Sequence, residues 1–314
     1  MRILITGGAG FIGSAVADAY VAVGHDVAVV DDLSAGDPRH VDPRVRLYRI
    51  DVAAGGVDAV VEAERPDVVN HHAAHVSVRR SVEDPQRDAT VNVLGAINVL
   101  EAARRHGTRR VIFASTGGAI YGEQDGPPAD ENHPCRPRSP YAVAKLAVEC
   151  YLDYYRATYG FDAIVLRYAN VYGPRQNPHG EAGVIAAIME RLRAGGTPTI
   201  FGDGEQVRDY VYVGDVVRAN LASLHADVPR DETAIVNIGT GAGTSVNRLW
   251  TLIAASTGAV VTPAYAPPRA GDVRRSVLDA SRAKRTLAWE PEVDLALGIE
   301  RTWAWFAQPL TAKT

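Results

Sequence analysis

Arg2-Ile3-Leu4-Ile5-Thr6-Gly7-Gly8-Ala9-Gly10-Phe11-Ile12-Gly13 opens the chain, and its reading decides the fold. A short β-branched run meets a cluster of glycines, and helical spacing begins directly behind them at Ser14 and continues to Val23. Gly8, Gly10 and Gly13 satisfy G-x-G-x-x-G, while Gly7, Gly10 and Gly13 satisfy the G-x-x-G-x-x-G variant. Glycine permits the tight turn and lets backbone N–H groups approach an anion, to which the helix N-terminus adds partial positive charge. Alone, such a motif is equally a glycine-rich turn.

The context raises it. The motif follows a strand-like run, and Asp31-Asp32 close the next such run, 18 residues after Gly13. An acidic side chain there accepts hydrogen bonds from a ribose and repels a 2′-phosphate, which favours NAD over NADP. Gly7, Gly10, Phe11, Ile12 and Gly13 are therefore candidate pyrophosphate contacts, with Asp31, Asp32 and Ser34 beside the ribose.

Outward from this unit, short runs recur at Asp26–Val30, Arg46–Ile50, Asp67–Asn70, Arg110–Ala114 and Ala163–Leu166. Helical spacing fills Val91–Arg105 and Pro140–Tyr159. This alternation predicts an α/β, doubly wound parallel sheet of the Rossmann type. Beyond Pro174 the pattern is less regular, so residues 1–172 are expected to form the nucleotide-binding domain. Residues 173–314 would form a smaller α/β substrate lobe, with about 207–243 crossing back to the first domain.

Bulk properties exclude other classes. The 314 residues are 46% hydrophobic and 22% charged with a net charge of −4, which is ordinary for a globular protein with a sizeable core. No basic stripe offers itself to nucleic acid, and no apolar run approaches the length of a membrane span. The opening apolar run meets glycines too soon for a signal peptide. Cys135 and Cys150 lie outside any C-x-x-C pair and read as free thiols, so a cytoplasmic location is expected. His71, His72 and His75 cluster, but no acidic or thiol ligand joins them at a metal-binding spacing, and no metal is expected.

Catalytic chemistry is signalled by Ser139-Pro140-Tyr141-Ala142-Val143-Ala144-Lys145. Serine as N-cap and proline at the first helical position mark a helix start. Tyr141 and Lys145 then share a face, one turn apart. Only three lysines occur (Lys145, Lys284 and Lys313), so a chance Y-x-x-x-K is rare. A phenol is a poor base at neutral pH, but a nearby ammonium favours the phenolate, which can then accept a proton from a hydroxyl. The strand-like run ending at Ala114 leads into Ser115-Thr116-Gly117-Gly118, where either hydroxyl could orient the reacting oxygen or simply satisfy a turn; Thr116 is preferred over Ser115.

Together these residues resemble an extended short-chain dehydrogenase/reductase, and within it the UDP-galactose (UDP-glucose) 4-epimerase family. The resemblance covers essentially the whole chain and continues in Val91-Asn92-Val93-Leu94-Gly95, in Arg167–Pro174, in Gly204–Val211, in Pro268–Asp272 and in Leu287–Pro291. It implies NAD-dependent inversion at C4 of a UDP-hexose through a transient 4-keto sugar, with tightly bound NAD regenerated each turnover, in a homodimer. It also places Asp51 and Val52 at the adenine, His72, Ala73, Ala74 and Asn92 along the cofactor cleft, and Tyr168 and Val171 beside the nicotinamide, whose ribose Lys145 would also hold. Thr116, Gly117, Tyr141, Asn170 and Val184 would meet the sugar nucleotide, with Thr199 and Phe201 by the uracil. Arg208 and Arg269 would clamp the diphosphate, Asp272 would bind the uridine ribose, and Ser276 would border the sugar.

One departure stands out. The family's hydroxyl usually lies four residues before the tyrosine of the Y-G pair, which here is Gly117, so a local backbone bulge is expected to bring Thr116 to the substrate. Gly117-Gly118 offer neither acid nor base, unlike the Asp-Glu of the related dehydratases. UDP-glucuronate and a net NAD-dependent oxidation remain the alternatives, and the small Ser276 leaves room for an N-acetylhexosamine.

Overall fold

The structure, a computed structural model, describes residues 1–179, 183–229, 231–269 and 272–308. Strand β1 (Arg2–Thr6) feeds helix α1 (Phe11–Ala22), which returns to β2 (Asp26–Asp31). There follow β3 (Arg46–Arg49), α2 (Val57–Glu64), β4 (Val68–His71) and α3 (Val78–Glu83). Next, α4 (Pro85–Ala89) and α5 (Gly95–Arg105) form one helical rod, joined by a single π-helical stretch, Thr90–Leu94. The rod leads to β5 (Arg110–Thr116), the short α6 (Gly117–Ile120), the long α7 (Pro140–Tyr159) and β6 (Asp162–Tyr168).

Each expected run holds a strand, with ends shifted by one or two residues: β3 stops at Arg49, β4 lies one residue later than expected, and β5 and β6 run on to Thr116 and Tyr168. The second half contributes β7 (Asn170–Tyr172), α8 (Val184–Arg193), β8 (Thr199–Phe201), β9 (Val207–Tyr212) and α9 (Val213–Ser223). It ends with β10 (Ala234–Ile238), β11 (Gly243–Ser245), α10 (Val246–Thr257), β12 (Ala264–Ala266), β13 (Arg275–Ser276), α11 (Ser281–Leu287) and α12 (Leu295–Phe306).

Seven parallel strands form the central sheet in the order β10-β6-β5-β4-β1-β2-β3. The order reverses beside β1, so the crevice at the strand carboxyl ends opens between β1 and β4, where doubly wound folds bind dinucleotides. One core layer joins Ile3, Ile5, Tyr20, Ile112, Ile164 and Trp289 on one face; the other joins Leu4, Val30, Phe113, Leu152 and Val165. These residues alternate along the strands, as the pleat requires for a sheet covered on both faces. Two small sheets, β11-β9-β13 with β7 on β9, and β12-β8, lie in the second half. Their core is separate, built on Tyr172, Met189, Tyr212, Leu249 and Ile299. Chain crossings knit the halves together: β10 completes the large sheet beside β6, and α9 packs on α1.

Candidate active site

The glycine loop is shaped by close approach. Gly7 adopts φ +70°, and a Cβ there would lie 2.6 Å from the Ala73 nitrogen. A Cβ on Gly13 would run into the Gly7 carbonyl oxygen. The loop is therefore pressed both against its own helix and against residues 72–73 at the end of β4. Asp31 braces it from β2: its Oδ2 accepts from Ala9 N at 2.9 Å and its Oδ1 from Leu33 N at 2.9 Å. Burial raises the Asp31 carboxyl above its ordinary range, and those two N–H donors oppose the rise. A cradle that tolerates no Cβ, with a buried carboxylate at the following strand end, fits a dinucleotide without a 2′-phosphate. Asp32 accepts from Ser34 Oγ at 2.6 Å, which closes the turn at the rim.

Other expected cofactor contacts divide by what their side chains do. Val52 is buried against Gly95, so a ligand could meet only its main chain, whereas Asp51 is exposed. Asn92 spends its amide internally: Oδ1 accepts from His75 N at 2.8 Å, and Nδ2 donates to His75 O at 3.0 Å and Asp88 Oδ1 at 2.9 Å. It sits in the π-helical stretch and holds the residue 72–75 loop, so its place is behind the cleft lining. His72 and Ala74 are half-buried on that loop. The His72 ring stacks on Tyr168 with centroids 6.2 Å apart, and its Nε2 is buried without a partner. The Tyr168 hydroxyl accepts from Asn220 Nδ2 at 2.9 Å. His71 turns away, with Nδ1 2.6 Å from Thr6 Oγ1. Burial pulls both imidazoles down to about 3, so they are neutral at physiological pH. Among the described residues no group of His, Cys, Asp and Glu could hold a metal.

At the start of α7, the Ser139 hydroxyl accepts from Ala142 N at 3.2 Å, the N-cap read from the sequence. It fixes the helix phase, so Tyr141 and Lys145 share a face with the ammonium 5.9 Å from the Tyr141 ring centroid. Lys145 is buried; its Nζ donates to Ala114 O at 2.9 Å and lies 4.7 Å above the Phe113 ring. Burial lowers its pKa to about 8, against the pull of Asp88 and Glu149. Burial, aided by Asp88, pushes the Tyr141 phenol up.

The two candidate hydroxyls separate at the end of β5, because successive residues of a strand face opposite sides. Ser115 is buried and donates to Glu149 Oε1. Glu149 is paired in turn with Arg167, whose NH1 donates to the Tyr121 hydroxyl at 2.8 Å. Thr116 is half-buried, and its hydroxyl makes no hydrogen bond within the described residues. The expected backbone bulge is not what accommodates the spacing. β5 stays in register with β6 through Thr116 opposite Tyr168, and the chain then turns through α6. Gly117 faces inward, where a Cβ would lie 2.5 Å from Leu278 Cδ1, so only its main chain could meet a ligand.

Two of the remaining candidates, Asn170 and Ser276, come beside Gly118 from the second half. Asn170 on β7 lies beside Gly118, whose added Cβ would be 3.1 Å from Asn170 Oδ1. Val171 and Val184 are half-buried at the boundary of the smaller core. Arg208 on β9 reaches Asp272 at 3.8 Å, and the Arg269 guanidinium lies 4.0 Å from the Phe201 ring centroid. Thr199 is exposed on the same short strand as Phe201. Ser276 stands opposite Arg208 in the β13–β9 pairing and is buried, its Oγ 3.4 Å from Gly118 O. Sequence reasoning missed Glu149, although Tyr141, Lys145 and Glu149 at successive four-residue steps mark one helix face. It also missed Asp88, which carries no motif of its own.

A Rossmann-type sheet whose crevice joins a glycine cradle to a Tyr/Lys pair defines a nucleotide-dependent enzyme of the short-chain dehydrogenase/reductase type. Comparison with known proteins narrows the class. The model of the NAD dependent epimerase/dehydratase family matches residues 3–239, and the chain belongs to that family. It is 46% identical to the UDP-glucose 4-epimerase of Mycolicibacterium smegmatis, over 98% of each chain. Among solved structures it is similar to the UDP-glucose 4-epimerase of Thermotoga maritima with UDP-glucose, at 47% identity and a TM-score of 0.94 over 98% of both chains. It is likewise similar to the Thermus thermophilus UDP-glucose 4-epimerase in complex with NAD, at 45% identity and a TM-score of 0.92, covering 98% of this chain and 99% of that one.

Proposed function

We propose that this chain inverts the C4 hydroxyl of a UDP-hexose, using NAD that stays bound from one turnover to the next. The observation that carries the reading is the meeting of Ser276 with Gly118. It brings β13, which bears Ser276 and pairs with β9 at Arg208, against the turn just beyond Thr116, and in this reading Tyr141 and Lys145 complete the site. Held by Gly7, Gly10, Phe11, Ile12, Gly13 and Asp31, NAD would take up the electrons of the C4–H bond and give them back, so the sugar is neither oxidised nor reduced overall.

The chain's own groups do the rest. The Tyr141 phenolate accepts the O4 proton and later returns it to the same oxygen. The Lys145 ammonium favours that phenolate, and Thr116 orients O4 through a hydrogen bond. Arg208 and Arg269 hold the diphosphate, which suits a guanidinium fork, while the sugar turns its other face. Asp272 contacts the uridine ribose, and Phe201 supplies an apolar wall for the base. Ser276 and Gly118 keep the pocket wall small, which favours a second substrate class, the UDP-N-acetylhexosamines.

The nucleotide-binding unit comprises about residues 1–172 with α9 and β10, from within 207–243, crossing back to it, and the rest of 173–314 forms the substrate lobe. Val78 and Val82 on α3, Leu94, and Val143, Tyr151 and Tyr154 on α7 are exposed apolar side chains on neighbouring helices, and their exposure supports a homodimer in which this face is covered by a second copy. Cys135 and Cys150 are both free, which fits a reducing compartment, and no described helix is long and apolar enough to cross a membrane.

The test is incubation of purified protein with UDP-glucose, UDP-N-acetylglucosamine or UDP-glucuronate, without added cofactor, followed by chromatography. A C4 epimer without net formation of reduced nicotinamide is expected from UDP-glucose. No epimer from any of the three, even with NAD supplied, would overturn the proposal.

A further inference from the structure

β13 is only two residues long and borders β9 on one side. On its other side no strand continues the sheet. The N–H groups of that edge are nonetheless paired, at its buried Val277 end, where an unmet donor would be costly, and at its exposed Arg274 end alike. Their acceptors lie in the loop that follows the Tyr121-Gly122 pair. The Glu123 carboxylate takes two consecutive donors: Arg274 N reaches Oε2 at 2.7 Å and Arg275 N reaches Oε1 at 2.8 Å. Gln124 Oε1 then accepts from Val277 N at 2.8 Å. Farther along, main chain takes over, with Ala129 N on Val277 O at 2.9 Å and Asp279 N on Ala129 O at 2.8 Å. From the opposite side, Val207 N donates to Arg274 O at 2.9 Å, and Asp209 Oδ2 accepts from Leu278 N at 3.3 Å.

We propose that Glu123 and Gln124 are positioning residues for the sugar-nucleotide site. Resting on the function proposed above, they clamp the backbone of residues 274–277 to the loop that follows α6 and so fix Ser276, and Arg208 opposite it, relative to Thr116. Gln124 is buried, while Glu123 is exposed and touches none of the catalytic groups, so it acts only through the strand it holds. The clamp continues outward: the Arg274 side chain, whose own N–H Glu123 holds, pairs with Asp203 at 2.7 Å, in the turn that follows Phe201. Two carboxylates, Glu123 and Asp203, thus tie the β13 segment to the loop after α6 and to the β8–β9 turn.

The test uses the NAD-loaded enzyme and its Glu123→Ala, Glu123→Gln and Gln124→Ala variants. Calorimetry would measure UDP binding, and kinetics the KM and kcat for UDP-glucose. Glu123→Ala is expected to weaken UDP binding and raise KM about tenfold, with a smaller change in kcat, the order expected for losing a charged hydrogen-bonding group. Glu123→Gln, which keeps one acceptor oxygen, should fall between wild type and Glu123→Ala. Bound NAD and melting temperature should stay near wild type in both Glu123 variants. Wild-type UDP affinity in both Glu123 variants, or a loss of affinity only in parallel with lost NAD and lowered melting temperature, would overturn the clamp. Failure of the wild-type enzyme itself to bind UDP would remove the nucleotide reading of the lobe, and the clamp with it.

Discussion

On the side proposed for the cofactor, Gly7, Gly13 and Asp31 are fixed by backbone contacts inside one strand–helix–strand unit and by the neighbouring end of β4. On the side proposed for the sugar nucleotide, Phe201, Arg208, Arg269 and Ser276 come from separate short segments, held by side-chain bridges such as Arg274–Asp203 and Glu123 to Arg274 N. The contrast shows two ways of building a site. Backbone close approach gives a rigid cradle suited to a cofactor that stays. Side-chain stitching of short strands gives a wall that can be retuned for different sugars without disturbing the cradle.

The largest expected effect lies where the two sides meet. Tyr141→Phe should lower kcat by about 10³-fold, as loss of general acid–base chemistry does, while bound NAD and UDP affinity stay near wild type. Progress curves and cofactor content of the purified variant check this, and a loss of under tenfold would remove Tyr141 from the proton transfer.

Next comes the cradle. Gly13→Ala drives a Cβ into the Gly7 carbonyl oxygen and should cost about 1–3 kcal/mol of stability, together with most of the bound NAD. Calorimetric melting and cofactor released on denaturation would report it. Full NAD retention would break the contrast, because the backbone would then be no more exacting than the side-chain wall.

On the other side, Phe201→Leu removes the ring beneath the Arg269 guanidinium and should raise KM for UDP-glucose about threefold, in line with a partly exposed cation–π contact. Equal loss of NAD would show that the two sides are not independent.

The smallest effect in magnitude is a displaced pH profile. Asp88 opposes the fall of the Lys145 pKa to about 8 and adds to the rise of the Tyr141 phenol. Asp88→Asn removes that negative charge, so both groups release their protons at lower pH. The acid and alkaline limbs of kcat/KM should therefore both move toward lower pH, with the maximum nearly unchanged in height. Limbs that stay in place while the height falls would assign Asp88 to structure alone.

Much of the cofactor side was legible because its signals are local. The glycine spacing, Asp31 at the next strand end and the Ser139 cap each report on a few adjacent residues whose geometry the chain itself dictates. Asn92 was placed near the cofactor by likeness, yet its amide is committed to His75 and Asp88 because the π-helical stretch, which no spacing announced, turns it there. That position 117 must be glycine was not legible either, because Leu278, distant in sequence, fills the space a Cβ would need.

The sequence by itself determined the doubly wound sheet, the cradle and the Tyr141–Lys145 face, since strand period, turn chemistry and helix period act over a handful of residues. The tertiary structure alone decided that Ser115 serves the Glu149–Arg167 pair and leaves Thr116 to the cleft, and that Glu123 reaches the edge of β13. Those outcomes depend on which distant segments share an edge or a buried charge, and such partners are chosen only when the whole chain packs.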